Sequence, residues 1–224
     1  MDLNGFDWGT SNSWFIETIS KEIFEEKIYE KFFEVENGDI VIDVGASIGP
    51  FTYSILNKNP KHVICVEPSF EEFPVLIQNT RQGNVSYLNK AINNFTGEFI
   101  SSNLFGFENG ISSKAYGITF KDFINLYNLE KIDFLKTDSE AGEYDIFNLE
   151  NLEWIKNNVK KIVGEWHLGN SERKQKFRQF RDLYLKEFSN YEVYSVNGVN
   201  IKWDLWNEHF IEFYSEIVIY IDNR

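Results

Sequence analysis

The sequence predicts an α/β protein, a three-layer Rossmann-like sandwich around a mostly parallel sheet. Three observations carry this. The apolar run Val41-Ile42-Asp43-Val44 passes through Gly45-Ala46-Ser47-Ile48-Gly49 into Pro50-Phe51-Thr52, where a helix can start. Three further strand-like runs, beginning at His62, Ile132 and Lys161, are mostly apolar and lead into Glu67, into Asp138 and into Glu165 and His167. Helical stretches fall between these runs, the alternation that builds parallel sheets.

The bulk numbers set limits. A chain of 224 residues is enough for one sizeable domain, and one domain over 1–224 is expected, with a helical segment at about 10–37. Hydrophobic residues make up 42% and aromatics 17%, so a packed core is expected. The 35 acids and 22 bases give a formal charge of −13, which argues against nucleic acid as a partner. The single cysteine, Cys65, lies in an apolar run and reads as a buried residue. No apolar stretch approaches the ~20 residues of a membrane span, and no signal peptide is visible, so a cytoplasmic location is expected.

The glycine loop reads Asp-x-Gly-x-x-x-Gly, not the dinucleotide pattern Gly-x-Gly-x-x-Gly. Gly45 and Gly49 permit a tight turn and close approach. An acid at Asp43 would repel a pyrophosphate and suits a ligand with a cationic part. S-adenosylmethionine carries an ammonium and a sulfonium and no phosphate.

In chain order, Phe24, Ile28 and Phe32 share a helical face, so a helix is predicted over 14–35. A turn at 36–39 leads into the first strand at Ile40, and a short helix follows the glycine loop. The second strand ends in Glu67-Pro68, eighteen residues after Gly49, where a carboxylate can accept two hydrogen bonds from ribose hydroxyls. Ser69-Phe70-Glu71-Glu72 is a capping box, and Pro74 follows it. A third strand is predicted at 85–88, and Ala91 beyond it can edge an adenine. Residues 93–102 read as a hairpin around Thr96-Gly97, 103–117 as a long loop of lid or binding type, and 119–128 as a helix.

The fourth strand runs into Asp138-Ser139-Glu140-Ala141-Gly142-Glu143, three carboxylates in six residues at a carboxyl strand end. On the fifth strand, Glu165 and His167 share a face. Residues 171–188 form an amphipathic helix whose bases read as a solvated face or, with less support, as a site for an anionic substrate group. A hairpin is predicted for 191–196 and 199–203 around Asn197-Gly198, and a last strand for 216–221.

Together these residues resemble the FkbM-type S-adenosylmethionine-dependent methyltransferases. Residues 42–49 resemble the family's Asp-Val-Gly-Ala-Asn-x-Gly loop, with Ser47 in place of the usual Asn. Residues 136–143 resemble its Lys-x-Asp-x-Glu-Gly-x-Glu run, with Ala141-Gly142 reordering the Gly-small pair. Glu165-Trp166-His167 resembles its strand-end Glu-x-His. The likeness covers roughly 40–167. It implies the class I methyltransferase fold, a seven-stranded sheet with an antiparallel last strand. It also implies O-methylation, commonly of a sugar hydroxyl in a glycan, glycolipid or natural product.

The expected cofactor site comprises Asp43, Gly45, Ala46, Ser47, Gly49, Glu67, Pro68, Ser69, Ala91 and Asp138. A sugar hydroxyl needs a base, and His167 is the first candidate, Asp138 the second. Glu140 and Glu165 can orient the base or the sugar. These four side chains could also hold a hard divalent ion, but no spacing here is diagnostic of one, so a metal is not the favoured reading. The alternatives are an NAD-type oxidoreductase, opposed by Asp43 and the missing middle glycine, and a non-catalytic cofactor-binding domain of the same fold.

Overall fold

The computed structural model describes residues 5–101 and 113–224. Its main sheet has seven strands: β1 (Ile40–Val44), β2 (His62–Val66), β3 (Val85–Leu88), β7 (Ile132–Thr137), β8 (Val159–His167), β9 (Tyr191–Ser195) and β10 (Glu216–Asp222). Their order is β3-β2-β1-β7-β8-β10-β9. The first five run parallel, and β10 lies antiparallel to both β8 and β9. This is the predicted sheet. The strand order reverses beside β1, so the carboxyl ends of β1 and β7 open onto one crevice.

Alternation along the strands feeds two cores. Ile42, Val44, Ile64 and Leu135 face one side of the sheet, and Val41, Val63, Cys65 and Phe134 the other. The first side is covered by α4 (Phe120–Leu126), α5 (Glu143–Ile146), α6 (Leu149–Asn158) and α7 (Ser171–Leu183). The second is covered by α2 (Pro50–Ile55), α3 (Glu72–Thr80) and the N-terminal segment.

Several local expectations are corrected. The helix predicted over 14–35 is shorter. After α1 (Ser13–Ile19) the chain widens into a π-helical turn over Ser20–Glu25. Lys27 then adopts a left-handed conformation (φ 51°) that ends the helix, and a 3-10 turn, Ile28–Glu30, follows. The proposed hairpin at 93–102 does not close on itself. Instead β5 (Gly97–Ser101) pairs antiparallel with β6 (Ser113–Ile118), and β4 (Ala91–Ile92) pairs parallel with β6, making a second, three-stranded sheet. Part of the loop expected over 103–117 is therefore strand, and the rest lies outside the described residues.

The 199–203 arm of the later hairpin is reduced to a single bridge, Tyr194 to Asn200, with Ser195 N–H donating to Val199 O and Ile201 N–H to Val193 O at 2.9 Å each. The bases of α7 are matched by acids: Arg178 meets Glu208 at 2.6 Å and Glu212 at 2.7 Å, and Arg181 meets Glu208 at 2.8 Å. Glu208 opens α8 (Glu208–Ile211). These arginines are therefore not left over for an anionic substrate.

Candidate active site

The crevice at the strand ends is a cleft of about 840 Å³, in the upper part of the range for ligand pockets. One wall is the glycine loop. Gly45 has φ 72°, and a Cβ there would fall inside the Asp138 backbone, so only glycine lets β1 and β7 close at this point. The Asp138 N–H donates to Val44 O at 3.0 Å. Gly49 (φ 92°) packs against α3, where an added Cβ would meet Leu76 and Thr80.

Beneath the loop, Asp43 is 1% exposed and does not reach the cleft wall. Its Oδ1 lies 3.1 Å from Lys136 Nζ, and Thr52 Oγ1 donates to its Oδ2 at 2.7 Å. Lys136 also donates to Gly45 O at 2.7 Å. The acid expected to meet a cationic ligand is thus neutralised internally, and it braces the loop from behind. Gly49 and Ser69 likewise lie off the wall, whereas Gly45, Ala46, Ser47, Glu67, Pro68, Ala91 and Asp138 line it.

Glu67 is fixed by two backbone donors, Ser47 N at 2.8 Å and Ser69 N at 2.7 Å, one to each carboxylate oxygen. Each oxygen keeps a second lone pair for a ligand hydroxyl. The capping box is half formed. Ser69 Oγ accepts from Glu72 N at 3.1 Å, but the Ser69 N–H goes to Glu67. Glu72, read in sequence only as a capping residue, also lines the cleft. Burial, with their mutual repulsion, raises the affinity of the Glu67–Glu72 pair for protons.

At the far end, β7 and β8 bring together Asp138, Glu140, Glu165 and His167. His167 Nε2 is 3.9 Å from Asp138 Oδ1 and 3.8 Å from Glu140 Oε1. One ligand atom each from Asp138, Glu165 and His167 lies within 4.8 Å of the others, close enough to share a divalent ion. On the ring's other side, Nδ1 is 3.0 Å from Glu143 Oε1, which also accepts from His167 N at 2.7 Å.

Burial works against a charged imidazole, but the Glu143 hydrogen bond and charge, with Asp138 and Glu140, outweigh it and push His167 up to about 10. Glu165 makes no hydrogen bond or ion pair among the described residues. Burial, then Asp138, raise its proton affinity well above the usual carboxylate range. Glu22, from the N-terminal segment, joins this group and is pushed up to about 7 by burial, then by Asp138 and Glu216. Sequence reasoning missed Glu22, Tyr29, Glu143 and Glu216 as site residues. Only Glu143 carried a signal, its place in the acid-rich turn.

Among the described residues, the charged groups of the cleft wall are nine carboxylates, His167 and three lysines, Lys21, Lys90 and Lys136. Its buried lysine, Lys136, is already paired. That donor set fits a ligand of net positive charge and opposes a pyrophosphate. The FkbM methyltransferase domain matches residues 43–193, about two thirds of the chain. The chain belongs to the FkbM methyltransferase family. It is an S-adenosylmethionine-dependent methyltransferase. No curated protein matches the sequence significantly.

Among solved structures, the chain is similar to a protein described as an rRNA-methylase from Clostridium thermocellum. The TM-score is 0.51 at 10% identity, covering 95% of this chain and 98% of that one. It is also similar to a chain of a fibrillarin/Nop5p complex, with a TM-score of 0.50 at 15% identity, covering 87% and 77%. At such identity these likenesses establish the fold alone. Among the described residues, no helix is long and apolar enough to cross a membrane.

Proposed function

We propose that the protein is an O-methyltransferase for a sugar hydroxyl in a glycan, glycolipid or natural product, acting in the cytoplasm as one domain over 1–224. The observation that carries this reading is the His167 ring. Its Nε2 faces the cleft beside Asp138 and Glu140, while Nδ1 is engaged by Glu143.

S-adenosylmethionine supplies an electrophilic methyl group on a cationic sulfur. In this reading Glu67 accepts hydrogen bonds from the ribose hydroxyls, and Ala46, Ser47, Pro68 and Ala91 border the nucleoside. Asp138 faces the cationic portion. His167 Nε2 takes the hydroxyl proton as the oxygen is methylated, and Glu140 and Glu165 hold neighbouring hydroxyls. Because its surroundings hold the ring protonated at neutral pH, it acts as a base only after losing that proton. A net-positive ligand beside Asp138 favours that loss. The excess of carboxylates and the overall charge of −13 disfavour nucleic acid as the acceptor.

The test is methyl transfer to a panel of mono- and oligosaccharides, with products located by mass spectrometry. His167→Ala is expected to retain cofactor binding and lose turnover by about 10²–10⁴-fold, the usual worth of a general base. Transfer only to nitrogen, or normal turnover in His167→Ala, would overturn the reading. A second reading, a divalent ion at Asp138, Glu165 and His167, is favoured by the closeness of their ligand atoms. Activity lost to a chelator and restored by Mg²⁺ or Mn²⁺ would support it.

A further inference from the structure

We propose that Glu143 is a positioning residue for methyl transfer, holding His167 in the Nδ1–H form with Nε2 turned to the acceptor. The proposal rests on His167 acting as the base.

Glu143 sits at the first position of α5 and is 0% exposed. Its carboxylate makes three contacts. Oε1 accepts from His167 N at 2.7 Å and lies 3.0 Å from His167 Nδ1, and Oε2 accepts from Ala141 N at 3.0 Å. An ionised carboxylate has no proton to give, so the bond to Nδ1 requires the proton on the ring. In the neutral ring the lone pair is then at Nε2, the nitrogen nearer Asp138 and Glu140.

The third contact ties the ring to the turn that carries those two acids. In that turn Glu140 (φ 53°) and Ala141 (φ 90°) are both left-handed. One buried side chain therefore fixes the base and the turn relative to each other. Tyr144 supports the same strand end, its hydroxyl donating to His167 O at 3.0 Å.

The other charged groups around the ring leave this role to Glu143. Asp138 and Glu140 approach only Nε2, and at 3.8–3.9 Å. Glu165 lies on the same strand, Glu216 is the β10 residue in register with His167, and Arg173 of α7 reaches Glu140 at 3.9 Å. None of these bonds to Nδ1, whereas Glu143 does. A purely structural Glu143 would satisfy the His167 and Ala141 backbone N–H groups. It would predict a loss of stability with kinetics unchanged per folded molecule.

Glu143→Gln preserves shape and one acceptor oxygen while removing the charge and freeing the tautomer. The expected result is a fall in kcat of about 10²-fold or more, with KM for the acceptor and cofactor affinity within about threefold. Glu143→Asp should recover part of kcat. Unchanged kcat in folded Glu143→Gln overturns the proposal.

Independently of any variant's folding, ¹⁵N-histidine NMR of the wild-type protein, recorded above the pH at which His167 loses its proton, should show a ring protonated at Nδ1 with its lone pair at Nε2. A ring protonated only at Nε2 overturns the assignment. If His167→Ala keeps full turnover while the Nδ1–H signal is present, the base reading fails and the Glu143–His167 contact stands as structure alone.

Discussion

The Tyr29 hydroxyl donates to Asp138 Oδ2 at 2.8 Å, joining residues 109 apart in the chain. The phenol has little freedom. It is 4% exposed, its ring meets Phe51 edge-on at 5.7 Å, and Lys136 Nζ lies 5.2 Å from its centroid. This bond ties the N-terminal segment to the strand end that carries the site.

Tyr29→Phe keeps the ring packing and removes the donor. Hydrogen bonds to charged groups contribute about 1.5–3 kcal/mol, and the Asp138 side chain is 31% exposed, which moderates this. A loss of about 1–2 kcal/mol in denaturant unfolding is expected, with weaker cofactor binding by titration calorimetry. An unchanged midpoint and affinity would mean that water replaces the phenol without cost.

Lys136 carries a larger share. Its amino group is buried with Asp43, and it also holds the Gly45 carbonyl. Lys136→Met would leave an uncompensated buried carboxylate, which costs about 3–5 kcal/mol. The double variant Lys136→Met/Asp43→Asn should recover part of that, because the orphaned charge is gone. Equal loss in single and double variants, read from urea midpoints, would show that the Gly45 contact rather than the charge pair matters.

Much of the main sheet was legible because its inner strands are buried on both faces and so read as apolar runs. β7 is buried at all six positions. Long-range pairing was not legible. Nothing local announces that β5 pairs across residues 102–112 with β6, or that Asp43 is matched by a lysine 93 positions away. Lys27 ends a helix by its backbone conformation although lysine is a good helix former. Helix α6 escaped because its first residue, Leu149, is 66% exposed, which blurs the periodicity. At the site, His167, Asp138, Glu140 and Glu165 were found from strand ends. Glu22 and Glu216 come from elements whose distance from the site only the fold sets.

The acid-rich turn holds strain that the residue order explains. The resemblance places glycine where this chain has Ala141, and Ala141 has φ 90°, a conformation costly for any residue with a Cβ. The neighbouring Gly142 has φ −68° and does not need to be glycine for its backbone. Ala141→Gly relieves about 1–2 kcal/mol of strain against up to about 1 kcal/mol of added unfolded-state entropy. A rise in Tm of up to about 4 °C is expected. A fall would show that the packing of the Ala141 methyl against the core outweighs the strain.

The site's charges also set the direction of the pH dependence. His167 is raised from 6.5 to about 10 in the folded protein, so its contribution is complete below about 6.5 and is lost as pH rises through about 10. Glu22 is raised from 4.5 to about 7, and Glu165 is raised as well. Folded carboxyls therefore keep protons that the unfolded chain has released, and stability falls as pH climbs from about 4.5 through about 7. Asp133 works in the opposite sense, its stabilisation being lost only as pH falls through about 2. Between pH 5 and 10 these shifts act together, so Tm should decline as pH rises. Glu22→Gln should flatten the lower part of that slope and His167→Ala the upper part, by scanning calorimetry at fixed ionic strength. A Tm that rises from pH 6 to 9 would mean that the fold gives up protons the unfolded chain keeps, with burial of the His167 ring outweighing its carboxylate neighbours.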